Sequence, residues 1–583
     1  MERFLFLLVA AVGISASPVT EPDRGPDDVI LTPDGAWAVT ANTLSGTVSL
    51  IRLADGKVTS ERPVGRRPTN LALTPDGATA LVSSSYSGEV HSFRIEGETL
   101  VPGPVAKPGF MPRGLAVHPD GRRVFVALAQ GQCVAELALP DLAEQRRISV
   151  GRWPRELALT PDGRKLAVGV SGDGGVAVVD TTTNKLDFLE DFIGLNLGQM
   201  QTSRDGRSVY FPWVIYRQLP ITANNIRQGW VLGTRIGRVR LDEHTRREAI
   251  TLDEQGRAVG DPTGLALSAD ENRLYCTAAG THELLIFRLD AMPFQDFGTP
   301  DHIHADLLKD RDKFDRLPLP GRPTKLRVGP DGLVYIANPE LNAVQVVDPK
   351  TRSVVRTITV GGPAEPSLVR RGEAIFHDAR RSLDQWYSCH TCHFEGGTNA
   401  VAMDTRNDGR FGNYKVVLSL YNVAQTGPWT WHGWQKELDD SVRKSLVDSM
   451  LGPKPSDDDV RALTAYLRTL EPPPNPHPQT DAVRRGETVF RSEKAGCARC
   501  HPAPHYTDGK IHSVGLESRD DAYRGFNPPS LIGVFDRPRL LHDGRAKSLR
   551  EVLTKHHTPD ALVGQGDLTE QELADLIEFL NSL

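Results

Sequence analysis

Cysteine is scarce in this chain: six in 583 residues, four of them in two C-x-x-C pairs. A fold held by a disulfide framework is therefore excluded. Cys133 and Cys276 stand alone in strand-like runs and read as buried bystanders. No stretch is basic enough to follow a phosphate backbone, and the net charge is −6, so nucleic acid is not expected as a partner. Long apolar runs are lacking too. The run from Phe4 to Ile14 is too short to cross a bilayer; it follows Arg3 and gives way to small residues. Residues 1–16 are accordingly expected to be a secretory signal, with the mature chain exported and without a membrane span. Turn formers, by contrast, are plentiful: 53 Gly and 42 Pro favour many turns and much β-structure.

The turns recur. A marker, usually P-D-G after an apolar strand, is centred on Asp34, Asp76, Asp120, Asp162, Asp205, Asp270 and Asp331. The first four intervals are 42 to 44 residues and the last two are 65 and 61, which implies inserted loops. Each unit runs as P-x-x-L-A-L-T-P-D-G followed by alternating strands, and a period near 42 with about four strands is one propeller blade. Seven markers predict a seven-bladed propeller over residues 27–362, and the wording of the repeat resembles the YVTN-type propellers. That resemblance concerns fold, since propellers host unrelated activities. The first insertion, 210–237, is rich in aromatics and arginine (Trp213, Tyr216, Arg217, Arg227, Trp230); it either covers a neighbouring domain's site or elaborates a blade edge. The second carries His302 and His304 in DHIHAD, read as loop histidines.

The chemistry lies further on. Cys389-His390-Thr391-Cys392-His393 and Cys497-Ala498-Arg499-Cys500-His501 both fit C-x-x-C-H. Two thiols at this spacing can form thioethers to a haem's two vinyl groups, and the adjacent imidazole then reaches the iron. Cys389, Cys392, Cys497 and Cys500 are thus attachment residues and His393 and His501 iron ligands, with His390 a filler. A zinc site would place its pairs some 15–20 residues apart, whereas these are 108 apart. A thioredoxin-like site would need a βαβ context that is not visible.

The motifs belong to a duplicated module. LVRRGEAIF (368–376) precedes the first and AVRRGETVF (482–490) the second. Each module closes with an amphipathic helix, capped by Ser456 and Asp459 in one and by Thr569 and Glu572 in the other. The expected division is a cytochrome c domain at 366–470, a proline-rich linker at 471–479 and a second cytochrome c domain at 480–583. The fold class is therefore an all-β seven-bladed propeller followed by an all-α tandem pair of class I cytochrome c-like domains.

The ordered segments RRGEAIFHDARRSLDQWYSCHTCH, SLYNVAQTGPWTWHGWQKEL (419–438) and FNPPSLIGVFDRPRLLHDGRAKSLREVL (526–553) resemble the bacterial di-haem cytochrome c peroxidase and MauG-type family. The resemblance implies that Trp431 lies between two covalently bound c-type haems as an electron relay, and that His556 falls where the second haem's distal ligand sits. Ser449 stands where peroxidase members carry a glutamate acid/base. Met450 remains as a ligand of the first haem or a core methionine, Met403 is a weaker candidate, and His432 could serve as the proton shuttle. The family's calcium-binding asparagine corresponds to Val416, which argues against calcium.

The expected function is that of a periplasmic di-haem oxidoreductase of peroxidase type, served by a small electron-donor protein or a small-molecule reductant, with H2O2 as oxidant. The propeller would dock the donor or hold a substrate. Two alternatives stay open: a non-catalytic electron carrier with Met450 and His556 closing both irons, and a propeller-based dehydrogenase feeding the haems.

Overall fold

The computed structural model describes residues 22–244, 247–296 and 301–583. The expected signal, residues 1–16, lies outside them. Seven antiparallel sheets follow in chain order, from Pro26–Leu31 in the first to Ser353–Thr359 in the seventh, and form a seven-bladed propeller. The ring closes without a shared sheet: Val29, Ala38 and Ile51 of blade 1 share a core with Tyr335, Val344 and Ile358 of blade 7. The Asn342 carboxamide seals the seam, accepting from the backbone N–H of Arg24 at 2.8 Å and of Gly25 at 2.9 Å.

The repeating marker has a local cause. In blade 1 the Thr32 hydroxyl donates to Asp34 at 2.6 Å, and Asp34 accepts the Ala36 N–H at 3.0 Å. The same hydroxyl accepts the Trp37 N–H at 3.0 Å, so one threonine and one aspartate fix the entry to the next strand. This clamp recurs at Thr74/Asp76, Thr160/Asp162, Ser203/Asp205 and Ser268/Asp270.

Blade 5 departs from the pattern. Its strands Ser208–Tyr216 and Leu232–Arg240 are nine residues long and carry a loop with the short helix Ala223–Arg227. Ile221, Ile226, Val231 and Leu232 join Phe376, Trp386 and Leu446 in one hydrophobic core, so this insertion packs into the first helical module. It covers a neighbouring domain, the first of its two expected roles. In the second insertion His304 caps the helix Ala305–Leu308.

The helical region is two copies of one arrangement. Leu368–His377 crosses Asp457–Leu467, and Asp481–Arg491 crosses Glu570–Asn581. A Cβ on Gly372 would sit 1.9 Å from the Ala462 carbonyl oxygen, and one on Gly486 1.9 Å from that of Asp575. The duplicated R-R-G-E is thus a helix-crossing motif in which only glycine fits. The Thr569–Glu572 capping box forms reciprocally. At Ser456 only the serine half forms, because the Asp459 carboxylate pairs with Arg381 instead. Among the described residues no helix is long and apolar enough to cross a membrane.

Candidate functional site

Each C-x-x-C-H segment opens onto its own cavity. Cys389, Cys392 and His393 border one of about 360 Å3; Cys497, Cys500 and His501 border one of about 330 Å3. The imidazoles are oriented alike. His393 Nδ1 bonds the Leu418 carbonyl at 3.0 Å and His501 Nδ1 that of Tyr506 at 2.8 Å, which leaves Nε2 of each as the free lone pair. Burial pushes both imidazoles down to about 4, the neutral form a metal ligand requires. Burial also pushes the Cys389 and Cys392 thiols up to about 12 and Cys497 up to about 11. Such thiols are poor nucleophiles, which disfavours a redox dithiol. His390 does not face the thiols' cavity; it borders a separate space under the propeller.

The two cavities adjoin. Val416 to Ser419, Trp431, Pro529 and Arg537 line both. The Trp431 indole is fixed by donating to the Val416 carbonyl at 2.8 Å. Behind it lies a stack that sequence inspection only half anticipates. His432 packs on Phe526 at 4.7 Å between ring centres, and His542 packs on the same ring at 4.6 Å and meets Trp431 edge-on at 6.3 Å. His432 borders the first cavity and His542 the second. His542 is the counterpart of Trp431 in the duplicated segment, each lying two residues into an equivalent bridge (Trp429–Gln435 and Leu540–Ala546), and that equivalence is the sequence signal for it. His432 Nδ1 bonds the Gly525 carbonyl at 2.7 Å, while its buried Nε2 has no hydrogen-bond partner and lies 3.7 Å from Asp521.

Of the expected ligands, one is placed away from its cavity. His556 is turned outward, its side chain 27% exposed and 3.9 Å from the Glu551 carboxylate. His557 instead lines the second cavity, with a buried Nδ1 that has no partner. The difference is local: the helix ends in a widened turn at Val552–His556, and His557 leaves helical geometry with φ −135°, its own side chain lining the cavity. Met450 lines the first cavity with its sulfur 3.8 Å from Cys389 Sγ, and Met403 likewise 3.6 Å from Cys392 Sγ, so both pack against the motif thiols. Ser449 accepts a bond from the Asn407 amide at 3.2 Å, which gives the first cavity a polar wall.

Arg537 is the residue no motif announced. Its guanidinium faces both cavities and donates to the carbonyls of Ser530 at 2.9 Å and Ile532 at 3.0 Å. Burial alone lowers it to about 10, and among the described residues no carboxylate pairs with it. A buried cation without an anion is costly. Mostly apolar cavities beside paired thiols, each with an oriented imidazole and one unmatched cation between them, fit a porphyrin with acidic side groups.

Comparison with known proteins agrees with this geometry. Residues 366–475 match the di-haem cytochrome c peroxidase family. Hydrazine synthase subunit gamma of Kuenenia stuttgartiensis is 27% identical over 279 residues, covering 38% of this chain and 79% of that protein. Methylamine utilization protein MauG of Methylorubrum extorquens is 27% identical over 286 residues, covering 38% and 79%. A solved structure of Kuenenia stuttgartiensis hydrazine synthase superposes with TM-score 0.50 at 23% identity, over 57% of this chain and 98% of that one, a likeness of fold. Together the sequence matches support a haem oxidoreductase. The C-terminal region carries a di-haem cytochrome c peroxidase domain, joined here to a seven-bladed propeller.

Proposed function

We propose that the protein is an exported di-haem c-type oxidoreductase of peroxidase type, in which the first cavity is the reactive site and the second stores and relays electrons. Such a haem supplies an iron that exchanges single electrons and, where a coordination position is open, binds peroxide. Cys389 and Cys392 would hold one group and Cys497 and Cys500 the other, with Nε2 of His393 and of His501 available to the iron. His557 closes the second site. The first keeps a polar wall of Asn407 and Ser449, suited to a small hydrogen-bonding oxidant. Trp431, bordering both cavities, carries electrons between them. His432, with one nitrogen fixed by Gly525 and the other free beside Asp521, holds and passes the proton that a glutamate handles elsewhere.

The observation that carries this reading is that two adjoining cavities share Trp431, the second bordered by His557 with a buried, unpartnered Nδ1 and the first by His432 and the hydrogen-bonded Asn407 and Ser449. Electrons come from a small donor protein or a small-molecule reductant, in the periplasm. Ser449 in place of a carboxylate favours the second reading, a carrier with both irons closed, Met450 completing the first.

The deciding experiment is a visible and EPR spectrum of the ferric protein before and after hydrogen peroxide. One high-spin and one low-spin signal, the high-spin one lost with peroxide, is the expected result. Two low-spin signals indifferent to peroxide, before and after one-electron reduction, would establish the carrier.

A further inference from the structure

A third cavity, of about 280 Å3, lies where the propeller's axis meets the first helical module. All seven blades reach it at the start of their innermost strands, and its roof is the helix Leu368–His377 with the segment from His390 to Glu395. At one end three guanidinium groups converge on one carboxylate. Arg155 Nη1 lies 2.9 Å from Glu395 Oε2, Arg113 pairs with the same oxygen, and Arg67 lines the same end of the cavity and adds its field at Glu395. Arg67 rests on the Tyr86 ring at 4.5 Å and has no paired carboxylate among the described residues. Elsewhere in the cavity Lys325 pairs with Glu156 at 3.0 Å, Arg370 and Arg322 share Glu373, and Arg370 also reaches Asp23 at 3.4 Å. Asp27 and Asp261 add two more carboxylates, so the excess of positive charge is confined to the end where Arg67, Arg113 and Arg155 meet Glu395.

The donors are in excess as well. Nε of Arg113 and Nε of Arg155 are buried without a hydrogen-bond partner, as is the Thr69 hydroxyl. Arg113 is 8% exposed and Thr69 4%. Buried N–H groups are nearly always satisfied in folded proteins, and water can satisfy them. Water does not neutralise the local excess of positive charge at the end where three arginines face Glu395, and such an excess is expensive away from solvent. A carboxylate or oxyanion would supply both the acceptors and the charge, and guanidinium forks match its planar oxygens.

We propose that this chamber binds a small anion, a carboxylate or an inorganic oxyanion, between Arg67, Arg113 and Arg155. Its charge then falls beside His390, whose ring packs on His377 and Phe394 at 4.8 Å each, three residues before His393. Given the di-haem reading above, an occupied chamber stabilises the oxidised first haem and lowers its midpoint potential.

The test uses the haem-loaded protein in chloride-free buffer, titrated calorimetrically with acetate and separately with inorganic phosphate, with spectroelectrochemistry of both haems at saturation. One site per chain is expected, preferring one of the two anions. Binding should weaken by at least about tenfold in Arg67→Gln and stay within about threefold in Arg67→Lys, with tenfold corresponding to about 1.4 kcal/mol. Thr69→Val, a change of one polar atom, should weaken binding less and gives a second readout if Arg67→Gln fails to fold. No binding of either anion overturns the site; equal binding in wild type, Arg67→Gln and Thr69→Val overturns its placement. Binding that moves neither potential overturns the link to the first haem. A pyridine haemochrome without two c-type haems per chain overturns the di-haem reading alone and leaves the calorimetry standing.

Discussion

Asp261, in the propeller, accepts hydrogen bonds from Thr391 Oγ1 at 2.6 Å and from Ser388 Oγ at 2.5 Å, and so holds the first attachment segment by two side chains at once. Ser388 and Thr391 are 1% and 2% exposed, so no water stands ready to replace the carboxylate. Asp261→Ala should cost about 2–4 kcal/mol, two orphaned hydroxyls at 1–3 kcal/mol each partly relaxed. The expected outcome is a lower Tm for the helical region and earlier proteolysis at the propeller boundary, with both haems retained. An unchanged melting curve would show that the contact does not hold the module.

The adjacent histidines separate cleanly. His557→Ala should convert the second haem from low spin to high spin in the EPR spectrum, while His556→Ala should leave it unchanged, since His556 faces Glu551 and solvent. Both variants should keep two attached haems. The opposite pattern would return the ligand to His556.

Arg537→Met tests the shared cation. Removing a buried positive charge between two redox groups favours their oxidised forms, so both midpoint potentials should fall together. If Arg537 serves only to tie the Ser530 and Ile532 carbonyls, the Tm will fall and the potentials will stay.

Asp536 gives a pH signature. Burial raises its carboxyl to about 6, opposed by the hydrogen bond from the Trp153 indole at 2.7 Å. The folded value lies above the ordinary aspartate value, so its contribution to stability is fully present below about pH 4 and is lost as pH rises through about 6. Wild-type Tm should therefore decline between pH 4 and 7 more steeply than that of Asp536→Asn, which keeps a neutral side chain throughout. Parallel curves would remove the assignment.

The repeats were legible because their chemistry is local: Thr32 and Asp34 clamp a turn within five residues, and the same pair recurs blade after blade. The C-x-x-C-H segments were legible for the same reason. Asp261, Arg537 and the chamber arginines were not, since each takes its meaning from partners more than a hundred residues away or from the absence of any. Arg113, for example, is an ordinary blade residue until Glu395 folds over it. His556 and His557 differ by one step at a helix end, and only the backbone angle at His557 decides which of them turns inward. The role of the aromatic insertion followed from packing rather than composition, through Ile221, Ile226 and Val231 more than through its tryptophans.

The propeller touches each part of the helical half: Asp261 at the first module, Trp153 at the second through Asp536, and Arg66 and Tyr86 at the intervening Glu471. A proline-rich tether by itself is only a semi-rigid spacer, and two small domains on it would drift in distance and angle. Bolted at three points to a closed ring, they instead share one rigid jig. The width of the gap that Trp431 spans is then fixed twice, by the ring and by direct bonds between the modules, the Val416 N–H to the His542 carbonyl at 2.7 Å and the Asn527 N–H to the Trp431 carbonyl at 2.8 Å.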